Sequence, residues 1–278
     1  MTITRFLLAG SAVLLLGCPA TTGLPPAKTA ATVSAADLPG DVPGLVKYMD
    51  QELTKRSRVG MENVLVAVDK ASALEPKSFD VAARGAKACG FLTEEFPNDK
   101  AARGRYADRG AAYARVAQAA DGSRVEGHYW LGINLGQLAT TKTNGAELVP
   151  KVLEAAKEAT KLDEKYDFAG PLRLLGSLYA KAPEPPVSVG DREEGVRNLE
   201  RAVELYPGYP QNVLHLGDAL LANDKLADAE RRYNQVLNAQ PDPLWAARLD
   251  AWKKQARDGL RSVAKKRDNL NSGGSSPF

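Results

Sequence analysis

The sequence predicts an all-α fold: a solenoid of about five helical hairpins closed by a C-terminal capping helix. Three observations point there. A spaced pattern recurs, an Ala, a Pro five residues on, then Leu-Gly nine and ten residues after the Pro. Its cleanest copy is Ala202, Pro207, Leu216, Gly217, with weaker copies at Ala71, Pro76, Gly85, Ala86 and at Ala117, Gly122, Leu131, Gly132, and a stretched one at Ala159, Glu164, Leu175, Gly176. Pro207 and Pro241 stand 34 residues apart, a spacing at which a helical hairpin stacks on its neighbours because it cannot bury its apolar face alone. Finally, no segment of the body alternates Val, Ile and Thr against polar residues as a half-buried strand does, and Gly and Pro fall between helical segments more than within them.

In chain order, residues 1–17 read as a signal peptide. Arg5 supplies the positive charge, and Phe6 to Leu16 is an apolar run of 11 residues, too short to span a bilayer and suited to a signal h-region. The run ends in Leu15-Leu16-Gly17-Cys18, which resembles the lipobox of bacterial lipoproteins. Gly17 is the small residue at the scissile bond, and the Cys18 thiol takes a diacylglyceryl group; acylating its new α-amino group supplies a further chain, and together these give stable anchoring. An ordinary secretory signal with an incidental Cys has the same apolar run. Pro19 follows where an Asp would retain an enterobacterial lipoprotein at the inner membrane, and by that resemblance the anchor faces the periplasm from the outer membrane. Residues 18–38, rich in Pro, Ala and Thr, read as a disordered tether.

The helical body is placed at residues 39–268. Its hairpins are expected at 42–55 with 60–74, 78–96 with 100–119, 125–139 with 147–162, 168–181 with 192–205, and 211–222 with 226–238. The last helix, from about 243 to 266, carries a stripe of Trp245, Leu249, Trp252, Ala256 and Leu260 and reads as the cap that hides the open end. Residues 269–278 read as a flexible tail. The Leu-Gly pairs put a small residue where two helices cross closely, and the Pro five residues after Ala71 and after Ala202 stops the second helix.

Composition excludes several classes of function. Hydrophobic residues make 44% and charged residues 26% of the chain, as in an ordinary globular body. The net charge of +3 falls to +2 once Arg5 is removed with the signal, too balanced to argue for nucleic acid or a polybasic membrane patch. With Cys18 lipidated, Cys89 has no intramolecular disulfide partner and reads as a small buried hydrophobe.

The 34-residue period and the Ala, Pro, Leu-Gly signature resemble the tetratricopeptide repeat. More specifically, Tyr129-Trp130-Leu131-Gly132-Ile133-Asn134-Leu135-Gly136 resembles the TatT family, as do Gly170-Pro171-Leu172-Arg173-Leu174-Leu175-Gly176-Ser177-Leu178-Tyr179, Pro183, Gly190-Asp191, Ala202 with Pro207, and Tyr209, Asn212 and Leu216. The likeness covers roughly residues 127–241. It implies a lipid-anchored periplasmic protein that docks the solute-binding subunit of a TRAP-type transporter, self-associates, and handles hydrophobic or organic-acid ligands through an internal pore. A general envelope-assembly scaffold with no small ligand is the alternative.

Catalysis finds little support in the sequence. There is no HExxH, no paired cysteine and no Gly-rich phosphate loop, so no enzyme activity, cofactor or metal is predicted. Of the two histidines, His128 reads as a satisfied core residue, and His215 as facing either the groove or solvent. Repeat alignment directs Tyr129, Ile133 and Gln137, then Arg173 and Ser177, then Leu214 and Asp218, towards the concave surface, with Asn134 mid-helix beside them as a further candidate. Arg173 suits a carboxylate ligand because a guanidinium among apolar neighbours matches that group; an intramolecular pair with a nearby Asp or Glu is the other reading. The long loops at 140–146 and 182–191 depart from the plain repeat and are candidate functional segments.

Overall fold

The computed structural model of the chain describes residues 33–273, so the signal peptide, Cys18 and most of the tether lie outside the described residues. The described residues form eleven α-helices and no strand. These are α1 (Val42–Thr54), α2 (Arg58–Leu74), α3 (Phe79–Glu94), α4 (Lys100–Ala120), α5 (Val125–Ala139), α6 (Val149–Leu162), α7 (Tyr166–Lys181), α8 (Arg192–Leu205), α9 (Pro210–Ala222), α10 (Leu226–Leu237) and α11 (Ala246–Gly273).

Local chemistry sets several of the starts. Asp41, Ser57, Asp99 and Asp191 each sit in the N-cap position and accept a hydrogen bond from the backbone N–H three residues on, satisfying one of the donors a helix start leaves open. Pro43 and Pro210 stand in the first turns of α1 and α9, where a missing N–H costs nothing.

The helices pack in two rows. Each consecutive pair forms a hairpin, and the odd-numbered helices α1, α3, α5, α7, α9 and α11 also pack on one another in succession. They make the inner row, and α2, α4, α6, α8 and α10 make the outer one. The capping helix therefore occupies the place of a sixth inner helix. It lies on α9 and α10 and buries Leu249, Trp252, Ala256 and Val263, which accounts for the predicted stripe. It also runs to Gly273, beyond the expected end near residue 266. Upstream, residues 33–38 are docked rather than extended: Leu38 is buried, Asn63 accepts from the N–H of Val33, and Lys70 donates to the carbonyls of Ala35 and Leu38. Side chains on α2 that anchor backbone groups thus begin the packed body earlier than composition suggests.

The Leu-Gly glycines lie at hairpin crossings. A Cβ on Gly176 would come within 2.7 Å of Leu199 and 2.8 Å of the Gly195 carbonyl, and one on Gly217 within 2.8 Å of the Tyr233 ring. Gly208, in the turn before α9, has nothing within 4 Å of its Cβ position. Gly176→Ala is therefore expected to destabilise the protein by about 1–3 kcal/mol through overpacking. Gly208→Ala should be neutral or stabilising by up to about 1 kcal/mol. Urea unfolding midpoints of the two variants decide this.

Candidate functional site

A cavity of about 710 Å³ lies against the inner row, lined by residues of α3, α5, α7, α9 and α11 and by both long loops. From the first loop come Thr140, Gly145 and Ala146, and from the second Ala182 and Pro183. The two insertions singled out in the sequence thus border the same space.

Aromatic rings and one guanidinium make a continuous wall. Phe91 meets Trp130 edge-on at 5.3 Å, Trp130 meets Tyr129 at 4.8 Å, and Tyr209 meets Trp252 at 5.5 Å. Arg173 lies between Tyr129 and Tyr209, donating to the Tyr129 hydroxyl at 3.2 Å with its guanidinium carbon 5.4 Å from the Tyr209 ring centroid.

Arg173 is buried, and its donors are committed. It bonds the carboxylate of Asp167 at 3.1 Å, the Asp167 and Phe168 carbonyls at 3.3 and 3.1 Å, and the side-chain oxygen of Asn212 at 2.8 Å. The reason lies in the backbone. Asp167, Phe168 and Ala169 all adopt left-handed conformations, with φ of 48, 56 and 60°, at about 1–2 kcal/mol per residue for L-amino acids. Arg173 serves the carbonyls of the first two, and Asn212 also donates to the Phe168 carbonyl at 3.0 Å and to the Ala202 carbonyl at 3.0 Å. Gly170 then lets the Tyr129 ring approach to 2.6 Å of where a Cβ would stand. Burial works against the guanidinium charge, but the oxygens of Tyr129, Tyr209 and Asp167 outweigh it and raise the Arg173 pKa above its ordinary value. Of the two readings of Arg173, the structure holds the intramolecular pair.

The other predicted residues divide. Tyr129, Ile133, Gln137 and Ser177 line the cavity with Arg173. Asn134 does not. It is fully buried where Gly110 leaves room for it, and donates to the carbonyls of Ala86 and Trp130. Leu214 is also core, in a cluster with Trp252 and Ala256 of the capping helix. Asp218 is half-buried and accepts from the Tyr233 hydroxyl at 2.8 Å; burial pushes its carboxyl up. Repeat alignment fails on α9 because α11 packs on the face that α5 and α7 turn to the cavity. Gln211 and His215, four residues apart on α9, line it instead, a spacing visible in the sequence once the register is known. Arg56, Arg103 and Arg248 also line the cavity, and no local pattern marks them, since they come from separate parts of the chain.

The two histidines occupy different environments. His128 sits at the α4–α5 turn, where Nε2 donates to the Gly122 carbonyl and Nδ1 accepts from Gln118, both at 2.9 Å. Nδ1 of His215 shares a hydrogen bond of 2.7 Å with the Ser177 hydroxyl. Burial, then the Lys181 and Arg173 charges, hold the His215 pKa well below 6.5. Burial also pushes the Cys89 thiol up to about 12. Among the described residues no group of three or more His, Cys, Asp and Glu is placed to hold a metal ion, and no helix is long and apolar enough to cross a membrane.

One contact closes the cavity between distant parts of the inner row. Arg248 of α11 pairs with Glu94 at 2.6 Å and with Glu95 at 3.0 Å, although the backbones of α3 and α11 nowhere approach one another. Long side chains alone make this clasp.

The comparisons agree with this geometry. A tetratricopeptide repeat model matches residues 187–250. The fold is a tetratricopeptide-type helical solenoid. A thermophilic TPR protein of Thermus thermophilus superposes with a TM-score of 0.59 at 15% identity, over 78% of this chain and 98% of that one. The pilF protein of Pseudomonas aeruginosa gives 0.50 at 20% identity, over 82% and 92%. At these identities the likeness is one of fold. No curated protein matches the chain by sequence.

Two outcomes follow from the site. Arg173→Met, which leaves the Asp167 carboxylate without its counter-charge and the Asp167 carbonyl without that side-chain donor, should cost roughly 3–5 kcal/mol of unfolding free energy, measured in urea. His215 binds a proton more readily unfolded than folded, so stability is held above the unfolded pKa and falls as pH drops below about 6.5. His215→Gln should flatten the decline in melting temperature between about pH 7 and pH 5 relative to the wild type.

Proposed function

We propose that this protein is a lipid-anchored periplasmic binding module whose inner helical row docks a protein partner, the solute-binding subunit of a TRAP-type transporter, and whose cavity receives an apolar or organic-acid ligand. The cavity carries this reading. Its volume lies in the range of small-ligand sites, and its wall combines buried rings with polar groups. The tetratricopeptide-type fold supports a scaffold that binds partners rather than an enzyme, because such solenoids present extended surfaces for recognition. The anchor rests on Gly17-Cys18 after the apolar run, and the partner on the resemblance of the 129–136 and 170–179 blocks to TatT proteins.

The test is photo-cross-linking in cells of the full-length, lipidated chain. A photoreactive residue at Gln137, in the cavity wall, should capture a solute-binding protein. The same residue at Lys157, exposed on the outer helix α6, should not. Capture of no solute receptor at Gln137, or equal capture at both positions, overturns the partner assignment. Cys18→Ser should release the protein from the membrane fraction.

A further inference from the structure

The cavity lining contains five cationic side chains, Arg56, Arg103, Arg173, Lys181 and Arg248, and two carboxylates, Glu94 and Asp167. Both carboxylates are already used, Glu94 by Arg248 and Asp167 by Arg173 and the Tyr129 hydroxyl. Two guanidinium groups beside α3 are left without a counter-charge among the described residues.

Arg56 lies in the turn between α1 and α2 in a left-handed conformation, φ 48°, an unfavourable one for a residue with a long side chain. Its guanidinium carbon stands 3.5 Å from the centroid of the Phe91 ring and makes no ion pair among the described residues. Arg103, on α4, meets only neutral acceptors there: it donates to the Pro97 carbonyl at 3.1 Å and to the Thr140 hydroxyl, and its Nε is buried with no acceptor. Lys87 adds to the imbalance. Its ammonium is 5.7 Å from the same Phe91 centroid and 5.9 Å from Trp130. The carboxylates that act on it, Asp167 and Asp50, are engaged by Arg173 and by Arg84, and Arg56 and Arg84 oppose its charge. Ring faces attract cations but do not neutralise them. The stretch from Phe91 to Pro97, at the end of α3, holds two carboxylates, Glu94 and Glu95, which share the one guanidinium of Arg248, and Arg56, Arg103 and Lys87 around it leave an excess of positive charge among the described residues.

We infer that this end of the cavity is an anion subsite, at which Arg56 and Arg103 bind the acid group of a small organic acid while its apolar body lies over the partly buried Ile133, beside Phe91 and Trp130. The inference rests on the reading of the cavity as a ligand site. It relocates the charge recognition from Arg173, whose donors are spent, to two arginines outside the repeat signature. The ligand is small because the cavity holds about 710 Å³, the size of a small-molecule site rather than of a docking protein. Lys87 contributes field rather than contact.

Two dyes with one ring system test this on the whole chain: anilinonaphthalene sulfonate, and phenylnaphthylamine, which lacks the sulfonate. Wild type should bind the sulfonate more tightly. Arg56→Gln with Arg103→Gln should weaken the sulfonate about tenfold or more, as loss of charge-assisted bonds does, and leave the neutral dye unchanged. Arg56→Lys with Arg103→Lys should restore part of the difference. If circular dichroism shows the double Gln variant unfolded, Arg56→Gln alone, in a turn and packed on a ring, gives the same comparison. Preference for the sulfonate that survives in a folded Gln variant overturns the subsite and leaves the cavity reading standing. Equal binding of both dyes by wild type also overturns the subsite, and binding of neither overturns the cavity reading itself.

Discussion

The contacts of Arg173 hold three inner helices together. One guanidinium on α7 reaches Tyr129 on α5, Asn212 on α9 and the left-handed turn that begins α7. The first two of the three left-handed residues, Asp167 and Phe168, have carbonyls that accept from side chains, and a buried carbonyl without a donor costs about 1–3 kcal/mol. Arg173 and Asn212 supply those donors from two different helices. The strain of the turn and the joining of α5, α7 and α9 are thereby one feature: the turn creates acceptors that only a cation and an amide from neighbouring helices can satisfy. Hydrophobic contact follows the same lines, with Phe168 stacked on Tyr209 at 4.4 Å and Tyr209 edge-on to Trp252 of the capping helix.

A cavity against the inner row follows from how that row is closed. The α11 helix stands in for a sixth inner helix without an outer partner, and its packing on α9 buries Leu214. Across the cavity, α11 is tied to α3 only through Arg248 and the two adjacent glutamates. A partly exposed ion pair is a weak tie, so this edge is the one where the wall depends on long side chains rather than on packed backbone. In the aromatic wall the rings contact one another directly.

Charge is distributed unevenly over the same space. The chain as a whole is close to neutral, yet the cavity gathers an excess of cations from the α1–α2 turn, α4, α7 and α11. That excess is invisible in the composition, because a count over the whole chain, 37 Lys and Arg against 34 Asp and Glu, sums it with carboxylates placed elsewhere. Beside Phe91 and Pro97, where cations outnumber carboxylates, the lining keeps unpaired charge among the described residues.

Period and punctuation were enough to determine the helices. Val125–Ala139 and Arg192–Leu205 end where the sequence places them, because caps, Pro and the apolar spacing are local properties of the chain. The small residues at crossings were legible for the same reason: Gly217 follows the recurring Ala at the regular spacing, and Gly176 at one stretched by two residues. The candidate site was legible on α5 and α7, where Tyr129, Ile133, Gln137, Arg173 and Ser177 keep the repeat register. It was not legible on α9, where a helix from the end of the chain covers Leu214 and turns Gln211 and His215 to the cavity. Nor could spacing reveal which side chains are already paired. Arg173 and Arg56 are both arginines near apolar residues, and the packing of α5, α7 and α9 pairs the first with Asp167 while the second makes no ion pair among the described residues.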